Sequence, residues 1–366
     1  MSREELIIPV EKQLLIQDLN NNAEYIGETK HGGNHLYIFG PNAKHLTREN
    51  SRLKEWNFRN ASPKGGTGMS SDYDIYDFAG SLNVEDSTKD DIQADSLSYK
   101  NVGVWDPVGR EFIACYRFKL AWEAPIGSNG QRMMDSSKLF HYSDKFNEEF
   151  MPHAIILGRS YVNFETSNPK LRTGLHNVWD GLGKLVERYH DQANYLMGKV
   201  TVYDSFDPLA RDLLNHFFRT YTQDDSLAKA INPVVDFKSN KEEFVLETFH
   251  NVPTDKAFGV LKRAISSIEG AIFPQLINSY LRISDPLLST FGTSAHKEFG
   301  EVEETGIILT LDDVLPKIRI SHYPVPYLLK TGFTPDQIIS SSMNRNIMNA
   351  WTQNLFKSEL KNNKKK

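Results

Sequence analysis

The apolar positions Val10, Leu14, Leu15 and Leu19 recur at helical spacing and predict a short amphipathic helix over residues 8–20. "HLYIFGP" reads as a strand closed by Gly40-Pro41, and "LTRENSRLKEWNFRNA" has helical period, with Leu46, Leu53 and Trp56 among charges, so a largely exposed helix is expected there. The clearest β signal is the pair "KNVGVWD" and "EFIACYRFKLA" around the turn Pro107-Val108-Gly109-Arg110. A polar stretch with little periodicity follows, to about residue 150. "HAIILGRSYV" then predicts a strand, "NFETSNPKLRTG" a loop, "LHNVWDGLGKLVERYH" an amphipathic helix and "YLMGKVTVYD" another strand. From Asp207-Pro208, a good N-cap and first-turn pair, the pattern is mainly helical through "DPLARDLLNHFFRTY" and "TDKAFGVLKRAISSIEGAIF". "TGIILTLDDVL" is a late strand and "FTPDQIISSSMNRNIMNAWTQNLFKSEL" a terminal helix capped around Thr334. No internal repeat interrupts this order. Antiparallel strands, then strand–loop–helix–strand, then helices predict an α+β or mixed α/β fold on a single core.

Composition changes this picture little. The 366 residues carry 42 Lys+Arg against 47 Asp+Glu, a formal net charge of −5, which gives no electrostatic case for a nucleic-acid partner. One cysteine, Cys115, excludes a disulfide framework and a cysteine zinc site, and suits a reducing compartment. The start "MSREELIIPVEKQLL" has no apolar signal core, and no run of 18 apolar residues occurs, so a cytoplasmic chain is expected. The end "FKSELKNNKKK" reads as a solvated terminus, or as a weak attraction to anionic lipid. Residues 83–98, polar and acidic, are expected to be a mobile surface loop.

Three constellations carry candidate chemistry. In "SDYDIYD" the carboxylates Asp72, Asp74 and Asp77 repel one another unless they meet cations, a metal or water. A calcium loop is unsupported because its glycine and distal glutamate are missing from their places. The triplet is either a solvated acidic loop or a site for a cationic group or a buried arginine. Second, Arg117 in "CYRF" and Arg159 in "LGRS" stand inside apolar strands, where a guanidinium needs a partner. The acidic loop supplies candidates for bidentate pairing. Third, Arg172-Thr173-Gly174 opens a helix whose N-terminal N–H groups suit a phosphate. No histidine cluster has metal-ligand spacing, and neither a G-x-S-x-G elbow nor a GxxxxGK[ST] loop occurs.

The order "RLKEWNF", "GGTG", "DYDIYD", a strand ending "YRF", and "LGRSYV" resembles the N-acyltransferases that make amino-acid lipids. These are the ornithine-lipid and glycine-lipid synthases, often labelled hemolysins, of the GNAT superfamily and related to acyl-homoserine-lactone synthases. The likeness runs from about residue 20 to residue 322 and takes in "VWDGLGKLV", "GKVTVYDSFDPLARDLL", "FPQLINSYLRIS" and "FGTSAHKEFGEVEETGI". It implies an N-terminal helical arm over 1–20, a GNAT-like domain over 21–325 with a central splayed sheet, and a C-terminal helix and lysine-rich tail over 326–366.

The resemblance also implies an activity: transfer of a fatty acyl group, commonly 3-hydroxylated, from an acyl carrier protein thioester to a small amino acid by direct aminolysis. Acyl-CoA is the other possible donor, no bound cofactor or metal is expected, and a peripheral inner-membrane contact suits an insoluble product. By motif position it gives Asp72, Asp74, Asp77, Arg117, Arg159 and Phe58 roles at the acceptor and acyl cleft, with Lys54 where an arginine is usual. Ser160, beside Arg159, and Arg172 with Gly174 are further substrate-binding candidates. The family reads Glu-Leu-Gly-Arg-Ser, and here Ile156 stands in the place of the glutamate. A substitute carboxylate is then sought at Glu165 or among Glu301, Glu303 and Glu304, the latter group expected as a solvated turn. The alternative is a catalytically degenerate scaffold that binds the acyl chain or carrier protein without turnover.

Overall fold

A computed structural model of the chain describes residues 3–62, 65–72, 98–203, 205–233, 242–299 and 302–343. It is a mixed α+β protein built on an eight-stranded, mostly antiparallel sheet, consistent with a GNAT-like fold. The strands are β1 (Glu24–Glu28), β2 (His35–Phe39), β3 (Lys100–Asp106), β4 (Glu111–Leu120), β5 (Phe140–Tyr142), β6 (Ala154–Val162), β7 (Tyr195–Val202), β8 (Ile231–Pro233), β9 (Ser289–His296) and β10 (Val302–Thr310). The main sheet has the order β1-β2-β3-β4-β6-β7-β10-β9, and β5 pairs with β8 in a separate two-stranded sheet. The hairpin expected at Pro107–Arg110 joins β3 to β4.

Helices cover both faces, because alternation along each strand sends apolar side chains to both sides. The helices used below are α1 (Lys12–Asn21), α2 (Lys44–Ala61), α3 (Gly174–Tyr189), α4 (Pro208–Phe217), α5 (Thr254–Ser266) and α6 (Pro316–His322). On one face Val102, Tyr116, Phe118, Ile155 and Leu157 pack against Val178, Leu185 and Val186 of α3. On the opposite face Leu15 and Leu19 of α1 and Leu46 and Leu53 of α2 pack on Phe112 and Tyr161. Val200 and Val202 pack against α4 and α5. Asp207 caps α4 as its sequence position suggests, accepting from the N–H groups of Leu209 at 2.8 Å and Ala210 at 3.0 Å.

Three expectations change. The first helix begins at Lys12 rather than residue 8. The expected exposed helix α2 is largely buried, including Glu49, Arg52, Lys54 and Glu55. Its charges tolerate burial because they pair: Arg52 meets Glu49 and Glu165, each at 2.6 Å, and Glu55 accepts from Thr67 and Gly68 N–H, each at 2.9 Å. The late strand starts at Val302, so Glu303 and Glu304 lie on β10 rather than on a solvated turn. The polar stretch before residue 150, for which the pattern specified no element, forms short helical turns and β5.

Candidate active site

β6 and β7 are parallel neighbours for only three residue pairs, the last being Ile156 with Met197. Beyond that point β6 stays with β4 and β7 with β10, so the two middle strands part. Gly158 and Gly198 stand just inside the parting, and both line the smaller cavity described below. Parted backbones offer hydrogen-bonding groups to an extended ligand, as a sheet edge does.

Arg159 sits at a β-bulge beside the parting. Cys115 pairs with Tyr161 and Arg117 with Gly158, so Arg159 and Ser160 together oppose Tyr116. Arg159 has φ 52°, a left-handed conformation usually given to glycine. The bulge turns its guanidinium toward Asp72, at 3.2 Å, and over the ring of Phe299, at 3.9 Å. Phe58 meets the same ring edge-on at 5.2 Å. The arginine after a glycine is therefore a bulge residue held by a buried carboxylate and an aromatic face.

Two cavities meet at the parting. The smaller, about 280 Å³ counting space open to solvent, is lined by Tyr99, Arg117, Asp135, Ser136, Ile156, Gly158 and Lys199, with Leu157, Met197 and Gly198. Asp135 joins its cations: Arg117 at 3.4 Å and Lys199 at 2.9 Å. Lys199 also reaches Glu304 at 2.7 Å, and Glu304 meets His296 Nδ1 at 3.1 Å. Burial alone would raise the Asp135 and Glu304 carboxyls. Lys199, then Arg159 and Arg117, hold Asp135 well below the usual range. The Lys199 charge and the hydrogen bond from His296 bring Glu304 to about 2. Burial would lower Lys199, but Asp135 and Glu304 more than reverse that and keep it an ammonium.

The larger cavity measures about 690 Å³, again counting space open to solvent. Its wall is mostly apolar: Leu157, Leu196, Ile283, Leu288, Ile307, Leu309, Val314 and Ile318, with α3 contributing Trp179, Leu182, Gly183 and Val186. It shares Leu157, Met197 and Gly198 with the charged cavity. An apolar chamber and a small ionic one thus open onto the same two strands.

The residues singled out in the sequence fall in different places. Arg117 lines the charged cavity, and Arg159 with Asp72 stands beside the parting. Ser160 shares hydrogen bonds with the hydroxyls of Tyr116 and Tyr280, which meet each other at 2.8 Å. Glu165 gives both oxygens to Arg52, at 2.7 and 2.6 Å, and lines neither cavity. Lys54 is fully buried on α2, outside both linings. Gly174 begins α3 packed on Val162, where a Cβ would come within 2.8 Å of Val162 Cγ1. Arg172, just before it, is exposed. Asp74, Asp77, Glu301, the loop from residue 83 and the lysine-rich tail lie outside the described residues. Ile156 is buried, opposite Lys119 on β4 and Met197 on β7. Among the described residues no group of three or more metal-ligating side chains occurs.

The sequence reading missed Asp135, Lys199 and His296, and misplaced Glu304. Lys199 carried a usable signal: a lysine after a glycine inside an apolar strand, "LMGKV", repeats the logic that drew attention to Arg159.

Comparison with known proteins decides the class. A curated glycine N(alpha)-acyltransferase of Bacteroides thetaiotaomicron is 34% identical over 326 residues, 87% of this chain and 89% of the relative. The chain belongs to this acyltransferase family. A second glycine N(alpha)-acyltransferase, of Phocaeicola vulgatus, is 29% identical over 325 residues, 87% of this chain and 92% of that protein. No family model and no solved structure matches the chain. Among the described residues no helix is long and apolar enough to cross a membrane.

Proposed function

We propose that this acyltransferase moves a long fatty acyl group from a carrier-protein thioester to the amine of glycine, the first step in making an aminolipid. The observation that carries the reading is the junction of the two cavities at Leu157, Met197 and Gly198. The apolar chamber suits an acyl chain. The charged one suits a small zwitterion: Asp135 attracts an ammonium, while Arg117 and Lys199 attract a carboxylate. The glycine named for both relatives is such a zwitterion. A thioester lying between β6 and β7 presents its carbonyl at the junction, near backbone N–H groups that polarise it.

In the reaction the acceptor's ammonium loses one proton to solvent, the amine attacks the thioester carbon, a C–N bond forms, the C–S bond breaks, and the thiolate leaves with the proton that the attacking nitrogen gives up. Asp135 receives the acceptor's ammonium and positions it, serving where the related motif has a glutamate and this chain has Ile156. Arg159, anchored by Asp72, holds the bulge that shapes the parting, and Ser160 supports the Tyr116–Tyr280 hydroxyl pair. Arg172 and Gly174, at the start of α3, meet the phosphate of the carrier's prosthetic arm. The amphiphilic product leaves toward a membrane surface.

One observation favours a second reading, a scaffold without turnover: the position of the motif glutamate is an isoleucine in an apolar cluster with Phe140, Phe146 and Met197. Lipid mass spectrometry on a bacterial host expressing the native chain or Ile156→Glu separates the two. New N-acylglycines from the native chain support transfer without the motif glutamate. Products from Ile156→Glu alone would favour the scaffold.

A further inference from the structure

One row of the main sheet crosses from Lys119 on β4 through Ile156 on β6 to Met197 on β7. Residues directly opposite in an antiparallel ladder share a face, with Cβ atoms about 5 Å apart. Ile156 and Met197 line the charged cavity, and so does Arg117, two residues before Lys119 and on the same face. Lys119 therefore stands beside that cavity, directly across from the position where the related motif has its glutamate. It is buried, only 4% exposed. Its Nζ donates to the Ser98 carbonyl at 3.4 Å and lies 5.5 Å from the centre of the Tyr99 ring. That ring is part of the cavity wall. The Arg117 guanidinium lies 4.2 Å from its centre, and its hydroxyl accepts from the Asp135 N–H at 3.1 Å. Tyr99 thus joins Lys119 to the two residues placed to meet a zwitterion.

Amide formation needs a group that accepts a proton, and the ionised groups of the buried network are ill suited to it. Asp135 and Glu304 are held below the usual carboxylate range, so each is a weak base. Lys199 and Arg159 are held as cations, and a guanidinium such as that of Arg117 keeps its proton. Lys119 is shifted the other way. Burial pushes its pKa down to about 8; Glu123 opposes this, and the Lys100 and Arg117 charges add to it. About a tenth of the amine is then unprotonated at pH 7, and a base matched to the working pH is the efficient kind. An isoleucine at 156 fits this arrangement, because a carboxylate there would pair with Lys119 across the strands and hold it protonated.

We propose that Lys119 is the general base of the transfer, its Nζ taking the proton from the acceptor's ammonium from the strand opposite the motif position. This rests on the reading that the charged cavity takes glycine, and it names the group through which the ammonium's proton passes to solvent. An N–H bond of the ammonium breaks, and its electron pair stays on nitrogen for attack on the thioester carbon. Lys119 becomes an ammonium and returns the proton to solvent once the amide has left. Asp135 holds the acceptor, and Lys119 deprotonates it.

Two measurements on the full chain test this. The first is calorimetric titration with glycine, without a thioester, at several pH values. A charged Lys119 repels the acceptor's ammonium, so affinity should level off above about pH 8 and fall below it, approaching about tenfold per pH unit. Lys119→Met, unbranched and of similar length, should bind glycine without this step. Lys119→Arg, charged throughout, should bind it weakly at every pH. His296, at the far end of the network, is untouched by these substitutions, so a step of its making would persist in Lys119→Met. The second is the rate of N-acylglycine formation from a long-chain acyl thioester of carrier protein. It should follow the same step in the native chain and fall about 100-fold or more in a Lys119→Met chain that still binds glycine. A flat glycine affinity in the native chain, or a step kept in Lys119→Met, would overturn the proposal. The step seen with no N-acylglycine formed would support the proton site and remove the transferase reading. N-acylglycine formed at a rate that Lys119→Met matches would do the reverse.

Discussion

At Arg159 two demands conflict: the bulge asks for a left-handed backbone that glycine adopts easily, and the site asks for a guanidinium. The side chain wins because it answers a buried carboxylate, Asp72, which would otherwise be left uncompensated at about 3–5 kcal/mol. Comparing two substitutions separates the demands. Arg159→Gly and Arg159→Ala should both lose activity and stability, but the glycine variant should be the more stable by about 1–2 kcal/mol in urea unfolding, since Ala keeps the strained φ. Equal stabilities would mean that the bulge relaxes when the arginine is gone. That Arg159 needs a partner was legible from its place in an apolar strand. Asp135 was not, because nothing in "MMDSSKLF" marks a carboxylate that the fold carries over β4 and β7. Asp135→Asn should raise the half-saturating glycine concentration about tenfold or more with little change for the acyl donor, in steady-state kinetics.

Among the elements, local pattern revealed what is local. The β3–β4 hairpin and the run from β6 through α3 to β7 stood out because each is fixed by neighbouring residues and turn chemistry. The order β4-β6-β7-β10 did not, since those pairings join segments far apart in sequence. The early start of β10 was hidden because Val302 is followed by two glutamates, whose charges are met by Lys199, Arg211 and His296 and by hydrogen bonds from Asn215 and Thr201. The larger cavity depends on close approach of α3 and α6: a Cβ at Gly183 would stand 2.2 Å from His322 O. Gly183→Ala should therefore force the helices apart, costing several kcal/mol in chemical denaturation and weakening binding of long acyl chains; a cost near zero would mean that α6 is loosely seated. Filling the chamber is the complementary experiment. Leu309→Trp should shift the preferred donor to shorter chains, read from the masses of the products, and an unchanged length profile would remove this cavity as the acyl site.

Across the whole molecule, the charged cavity, the parting and β10 are tied into one buried network from Arg117 through Asp135 and Lys199 to Glu304 and His296. A carboxyl lowered to about 2 from 4.5, as at Glu304, adds stability that is complete above pH 4.5 and drains away as pH falls toward 2. Asp135, also lowered, adds to the loss in the same direction. Unfolding free energy should fall steeply below about pH 4.5, and Glu304→Gln should flatten that slope; an identical slope in the variant would place the acid sensitivity elsewhere. The network and the two chambers converge on one claim, that a thioester between β6 and β7 is aminolysed by glycine. The most direct measurement incubates the purified chain with glycine and a long-chain acyl thioester, on carrier protein and on coenzyme A in parallel, and follows thiol release and N-acylglycine together. The account predicts one thiol released per amide formed with the carrier-protein donor, and no thiol without glycine. Thiol released without amide, or no glycine-dependent thiol release from either donor, would contradict it.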